Sequence, residues 1–247
     1  MNDLSREVTS LGDGRPAQGG PPLALVGGLS LGFLIGGLVV SAALGGVVPS
    51  PFKTAAEVQA YFRDHPAAVR AGAIGQFASA VPLLIYASTA SARLRQLGVT
   101  APGATIALAG GTVASAALGL SGLLQWTLSR PDVSIDTAVV RASSTLVFLV
   151  GGPGHVVALG LLVAGIAVPS LIMRLLPRPL AWAGLAIAVV AELSTLTLVT
   201  PNLAILLPIA RFPALVWLVA AGVLLPRRRR ARIAASRIGG TTERTPR

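Results

Sequence analysis

Between Leu23 and Leu225 the chain alternates long apolar runs with short gaps that hold almost every charge. Each run is at least as long as the 20 or so residues a helix needs to cross a hydrocarbon core of about 30 Å. The pattern predicts six spans, at about Leu23–Val48, Ala68–Leu94, Ala104–Leu128, 137–176, Leu180–Val199 and Leu203–Leu225. The expected fold is therefore all-α, a polytopic transmembrane helix bundle. Residues 1–22 form a polar Gly/Pro-rich tail, 23–226 the membrane domain, and 227–247 a basic tail.

The fourth run has no polar stop. Forty helical residues would be about 60 Å long, so it reads either as one long kinked span or as two half-helices meeting at Gly151-Gly152-Pro153-Gly154. We favour the first, with the turns around Arg141 projecting out of the lipid. Between the first two spans, Thr54-Ala-Ala-Glu57 matches a capping box. Val58, Tyr61 and Phe62 then share one face, which predicts a short helix lying on the membrane surface, with His65 in the loop that ends it.

Small residues recur at helical spacing. Gly28, Gly32 and Gly36 smooth one face of the first span, and Gly111, Ser115 and Gly119 do the same in the third. Such grooves let a neighbouring backbone approach closely. In the first span the neighbour is either another helix of the same chain, the reading we favour, or a second copy in a homo-oligomer.

Composition agrees with the pattern: 247 residues, 53% hydrophobic, 12% charged, mean hydropathy +0.75. The net charge of +11 does not indicate nucleic acid. Eight of the twenty basic residues lie in the tail from Arg227, and most others flank apolar runs, as topology signals do. With both termini in the cytoplasm, fourteen arginines face inward and six cationic residues outward, the tail deciding the balance. The first apolar run is too long for a signal h-region and reads as a retained span. The expected location is a bacterial inner membrane, with the lipid bilayer as partner.

Chemistry in such a protein would fall to polar groups inside the spans. Glu192 is the one acidic residue deep in an apolar run. An ionised group at mid-bilayer costs about 2.5–3.5 kcal/mol on insertion scales, so it is expected to face the bundle and find a partner. Arg211 lies at similar depth on the next span; Arg141 and Arg70 are rivals, and a protonated Glu192 is the alternative. His155 follows the Gly-Gly-Pro-Gly cluster, where a kink would free backbone carbonyls. It reads either as a proton relay or ligand-binding group or as a histidine hydrogen-bonded to a neighbouring helix. Gln76, Gln125 and Asn202 either line a shared cavity or bond across helices.

Other chemistry is excluded by what is missing. There is no cysteine, hence no disulfide or thiolate site. Two histidines and one intramembrane carboxylate make no metal site. No nucleophile–base pair or phosphate loop can be assembled, so no catalytic residue and no cofactor is expected.

The order of features resembles a bacterial family of multi-pass membrane proteins, domain of unknown function 4386. The resemblance is carried by the glycine-rich opening span, Tyr61-Phe62…His65-Pro66, Val150-Gly151-Gly152…Gly160 and Leu175-Leu176-Pro177-Arg178-Pro179-Leu180. It spans about Leu23–Leu225 and implies a helical bundle in the cell membrane, without an activity. Two functions follow as expectations. One is a non-enzymatic structural or regulatory membrane protein. The other is a small-molecule or ion carrier built on Glu192, Arg211 and His155.

Overall fold

The computed structural model describes residues 20–226 except Val47 and Pro51. The expected tails, apart from residues 20–22, lie outside the described residues. Every regular element described is helical: α1 (Leu23–Gly45), α2 (Ala55–Asp64), α3 (Pro66–Gln96), α4 (Gly103–Leu128), the short α5 (Pro131–Ser134), α6 (Thr137–Leu149), a π-helical turn (Val150–Gly154), α7 (His155–Met173), α8 (Arg178–Leu193), two 3-10 turns (Ser194–Leu198 and Pro201–Ile205) and α9 (Leu206–Leu224). Six of these paths are long and apolar enough to cross a membrane, and the chain is an all-α, multi-pass membrane bundle. Helices satisfy their backbone groups internally, which hydrocarbon demands.

The stretch after residue 137 is one continuous path, Thr137–Met173, rather than two half-helices. Its 37 residues are about 55 Å long at 1.5 Å per residue, well beyond a hydrocarbon core. The register slips at Val150–Gly154 for a local reason. Pro153 has no N–H to offer the Leu149 carbonyl, and the glycines around it tolerate the wider turn. The path ends at Arg174, which takes the left-handed conformation (φ 55°) usual for a C-terminal glycine, while the Leu175 amide reaches back to the Ser170 carbonyl at 3.0 Å.

The six long helices pack as a ring: α1 on α3, α3 on α4, α4 on α7, α7 on α8, α8 on α9, and α9 back on α1. The described residues begin and end on one face, at residues 20 and 226, which we call proximal. The centre is filled by Leu83, Tyr86, Leu159, Leu162, Ile166, Leu215 and Leu218. Tyr86 crosses it to donate to the Leu218 carbonyl at 2.7 Å. The outer surface is the reverse of a soluble protein's, with Leu25, Val39, Ile74, Val113, Ile172 and Val189 all open. Apolar exposure of that extent belongs against lipid.

Small residues set the helix spacing. Gly37 of α1 meets Gly75 of α3 so closely that a Cβ on either would lie 2.5 Å from the other's Cα. Gly165 of α7 sits as tightly on α4, where a Cβ would lie 2.5 Å from the Ala107 nitrogen and 2.7 Å from the Gly103 carbonyl oxygen, and Gly184 admits the Trp217 ring, whose Nε1 donates to the Leu180 carbonyl at 2.7 Å. Ser30 and Ser79 exchange hydrogen bonds with each other's carbonyls, at 3.0 and 2.7 Å, closing the α1–α3 seam. The Gly28, Gly32 and Gly36 stripe is not part of this packing. A Cβ at any of the three would meet nothing within 4 Å, so the expectation of intramolecular packing there is wrong. The stripe faces outward, and the close contact lies one residue further round the helix at Gly37.

Helix α2 has the predicted capping box. The Thr54 hydroxyl accepts from the Glu57 amide, and the Glu57 carboxylate accepts from the Thr54 amide at 3.1 Å. Its apolar face does not rest on lipid, as the sequence had suggested. Val58 and Phe62 are buried against Val69, Leu128 and Val140 of the bundle, and Gln59 donates to the Ser134 and Ile135 carbonyls. His65, expected in an open loop, is half-buried with its ring 5.1 Å from that of Tyr61.

Two predictions follow from the packing. Gly37→Ala should destabilise the detergent-solubilised protein by about 1–3 kcal/mol through overpacking. Gly32→Ala should be neutral or slightly stabilising, since Ala is the better helix former; equal melting temperatures for the two variants would refute the assignment. The second concerns pH. The Glu57 carboxyl is held below the usual range by hydrogen bonds, first from the Thr54 hydroxyl and then from the Thr54 amide. A depressed native pKa contributes stability that is present above the unfolded value of about 4.3 and disappears as pH falls through the native one. Protection factors of the α2 amides should therefore drop as pH is lowered below about 4, and Thr54→Ala should remove most of that dependence.

Candidate functional site

Two polar clusters lie within the bundle, and the structure distributes the expected residues differently from their spacing. The first joins α3, α4 and α6. Gln76 donates through Nε2 to the Gln125 side-chain oxygen, and Gln125 donates on to the Val69 carbonyl at 3.3 Å. Ser121 lies within 3.1 Å of both the Gln76 side-chain oxygen and the Val147 carbonyl. These amides bond across helices, one of the two readings open for them. Asn202 is not with them; it is exposed in the second 3-10 turn.

The second cluster surrounds the π turn. Gly151 packs on Ser121, and its carbonyl accepts from the Arg211 guanidinium of α9. His155, one turn on, is fully buried, and its Nδ1 lies 2.9 Å from the Ala114 carbonyl of α4. A carbonyl can only accept, so Nδ1 carries the proton in this contact. Nε2 of His155 and Nε of Arg211 have no hydrogen-bond partner. The histidine thus ties α7 to α4, the interhelical bond anticipated for it, while Arg211 ties α9 to the π turn.

Glu192 is the main correction. It forms no ion pair with Arg211, and none with Arg141 or Arg70, among the described residues. Its side chain is exposed on the outside of the bundle, beside Gly160 of α7, where a glycine Cβ would stand 3.2 Å from its Oε1. The reason is helix rotation. The face that α8 buries is the small-residue series Ala181, Gly184, Ala188, Ala191. Glu192 follows the last of these by one position, about 100° round the helix. That series was readable in the sequence and would have placed Glu192 at the edge of the interface rather than within it.

A third feature was not anticipated. At the distal face, opposite residues 20 and 226, a cleft of about 310 Å³ is lined by Phe52, Arg141, Thr145, Phe148, Leu149, Thr197, Leu198 and Pro201. Arg141 is exposed, as expected of the projecting end of the fourth span, and donates weakly to the Lys53 carbonyl at 3.4 Å. Neither Glu192, His155 nor Arg211 lines this cleft. Sequence reasoning missed it because its walls come from four separate segments, none with a motif. Among the described residues no group of three or more His, Asp or Glu gathers in a way that could hold a metal ion.

Comparison with protein-family models, with curated proteins and with solved structures yields no match to the chain. The resemblance to domain of unknown function 4386 accordingly rests on its short motifs alone.

The clusters yield a direct test. Arg211→Met leaves the Gly151 carbonyl without its partner and should destabilise the protein by about 1–3 kcal/mol. Glu192→Gln should change stability by no more than about 0.5 kcal/mol, as for a residue outside any network. A double-mutant cycle on the pair should give a coupling near zero. A coupling above about 1 kcal/mol would restore the ion pair.

Proposed function

We propose that this is a non-enzymatic multi-pass protein of the bacterial inner membrane, structural or regulatory, whose intramembrane polar groups lock helices instead of conducting a substrate. The observation that carries the reading is the engagement of Arg211 on the Gly151 carbonyl, with His155 held on Ala114. Each residue bonds a backbone carbonyl of another helix, at or beside the π turn. Glu192, the one carboxylate a coupled carrier would need, is exposed on the outside of the ring and has no ion-pair partner among the described residues. The filled centre of the ring argues in the same direction.

A carrier built on Glu192, Arg211 and His155 would need all three to meet in one water-accessible space, and they do not share the distal cleft. Proteoliposomes loaded with a pH-sensitive dye separate the two readings. Wild type and Glu192→Gln should both leak protons at the rate of empty vesicles when a pH step is imposed. Proton entry above that rate, abolished by Glu192→Gln, would overturn the proposal in favour of a proton-coupled carrier.

The orientation follows from arginine bias, with the proximal face and its loops at Arg93–Arg95 and Arg174–Arg178 in the cytoplasm. The chain has no native cysteine, so single cysteines report side without background. Asp132→Cys in the distal loop should react with a membrane-impermeant maleimide in spheroplasts with an intact inner membrane, and Thr100→Cys only after that membrane is permeabilised. The reverse pattern would invert the topology.

A further inference from the structure

We propose that the distal cleft binds an amphipathic anion, a carboxylate or phosphate headgroup carrying an apolar tail, with Arg141 and Thr197 as its polar anchors. Among the described residues Arg141 is the only charged side chain lining the cleft, and no carboxylate stands within ion-pair distance of it. The distal ion pairs form elsewhere, at Arg63–Asp64 and Arg130–Asp132. Asp136, five residues before Arg141, is committed to the α6 N-terminus, accepting from the Ala138 and Val139 amides. The guanidinium has five N–H donors. One long hydrogen bond, to the Lys53 carbonyl, leaves most of them open to an acceptor.

Thr197 supplies the second, independent observation. It lines the same cleft, is only 4% exposed, and its Oγ1 has no hydrogen-bond partner. A buried hydroxyl is normally satisfied, so one that is not, beside an open cation, points to an absent partner. The neighbouring Thr145 is different, because its hydroxyl already donates to the Arg141 carbonyl at 2.8 Å. The other walls are apolar. Phe52 and Phe148 meet edge to face at 5.3 Å, joined by Leu149, Leu198 and Pro201.

One cation, one orphan hydroxyl and five apolar walls suit a ligand with a single anionic end and a short hydrocarbon body. The volume, about 310 Å³, is at the lower limit for small-molecule sites. The position suits it as well. The cleft opens where the loop at Phe52, the projecting end of α6 and the two 3-10 turns meet, away from the bundle centre. Irregular backbone at the edge of a membrane is tolerated where it lines such a cavity. Phe148 and Leu149 immediately precede the π turn, so an occupant would touch the segment that Arg211 holds. The site goes beyond the packing role proposed above and does not depend on it.

The test uses the full chain in phosphatidylcholine nanodiscs, with octanoate as the free anion, octyltrimethylammonium and octanol as charge controls, and titration calorimetry as the readout. A second arm measures retention of phosphatidylglycerol by native mass spectrometry. We expect saturable octanoate binding, weakened at least tenfold by Arg141→Gln and several-fold by Thr197→Val, with Thr197→Ser restoring it. Neither control should saturate. Arg141 is exposed, so Arg141→Gln should melt with wild type and the loss of binding would not reflect misfolding. Arginine-dependent retention of phosphatidylglycerol without octanoate binding would assign the anion to a lipid headgroup and support the site. Equal binding of octanoate, octanol and octyltrimethylammonium, or anion binding indifferent to Arg141, would overturn it. Proton leak is unaffected by either result, so failure here is distinguishable from failure of the non-carrier reading.

Discussion

Every backbone N–H and C=O in the hydrocarbon must be satisfied by protein, because lipid offers no partner. That constraint explains why the described elements are helices, and it explains the exceptions. Where Pro153 withdraws a donor, the path neither breaks nor turns back. It widens into a π turn, and Arg211 from α9 bonds the Gly151 carbonyl within it. The same logic holds at the distal edge, where the 3-10 turns after α8 sit beside a cleft rather than against lipid tails. The π turn and the distal 3-10 turns thus lie where another part of the chain, or an opening to the surface, can attend to them.

The second constraint is steric. Between apolar helices in lipid there is no water to expel, so close contact of backbones takes over much of the work that the hydrophobic effect does elsewhere. The glycine pairs and Gly/Ala contacts between neighbouring helices set the ring, and short serine bridges such as Ser30–Ser79 give each seam a register. Large side chains then sort by helix face rather than by type. Leu83, Tyr86, Leu159 and Ile166 fill the middle, while Leu25, Phe33, Val39 and Ile74 face outward. The buried polar groups fit this scheme as fasteners: Gln76 with Gln125, His155 with Ala114, and Tyr86 with Leu218.

Glu192 illustrates how a sound energetic argument can fail on geometry. A carboxylate in an apolar span does need an explanation, and Arg211 does lie at a comparable depth. Depth along two helices says nothing of rotation about them, however, and one residue of rotation is about 100°. The small-residue series on α8 turns Glu192 out of the ring, while Arg211 turns in towards the π turn. The glycine stripe of α1 failed for the same reason: Gly28, Gly32 and Gly36 do share a face, but it is not the face that meets α3.

What the chain determined alone was what depends on composition and local period. The six apolar runs, the capping box at Thr54–Glu57, the single long fourth path and the slip at its proline–glycine cluster were all legible, because solvent and backbone chemistry act within a few residues of their cause. Tertiary structure decided which face of each helix points inward, and hence which polar groups meet. It placed α2 against the bundle instead of on lipid, separated Glu192 from Arg211, and gathered Phe52, Arg141, Phe148 and Thr197 around one cleft. Those outcomes are sums over contacts between segments far apart in the sequence, and no single segment carries enough of the sum to reveal it.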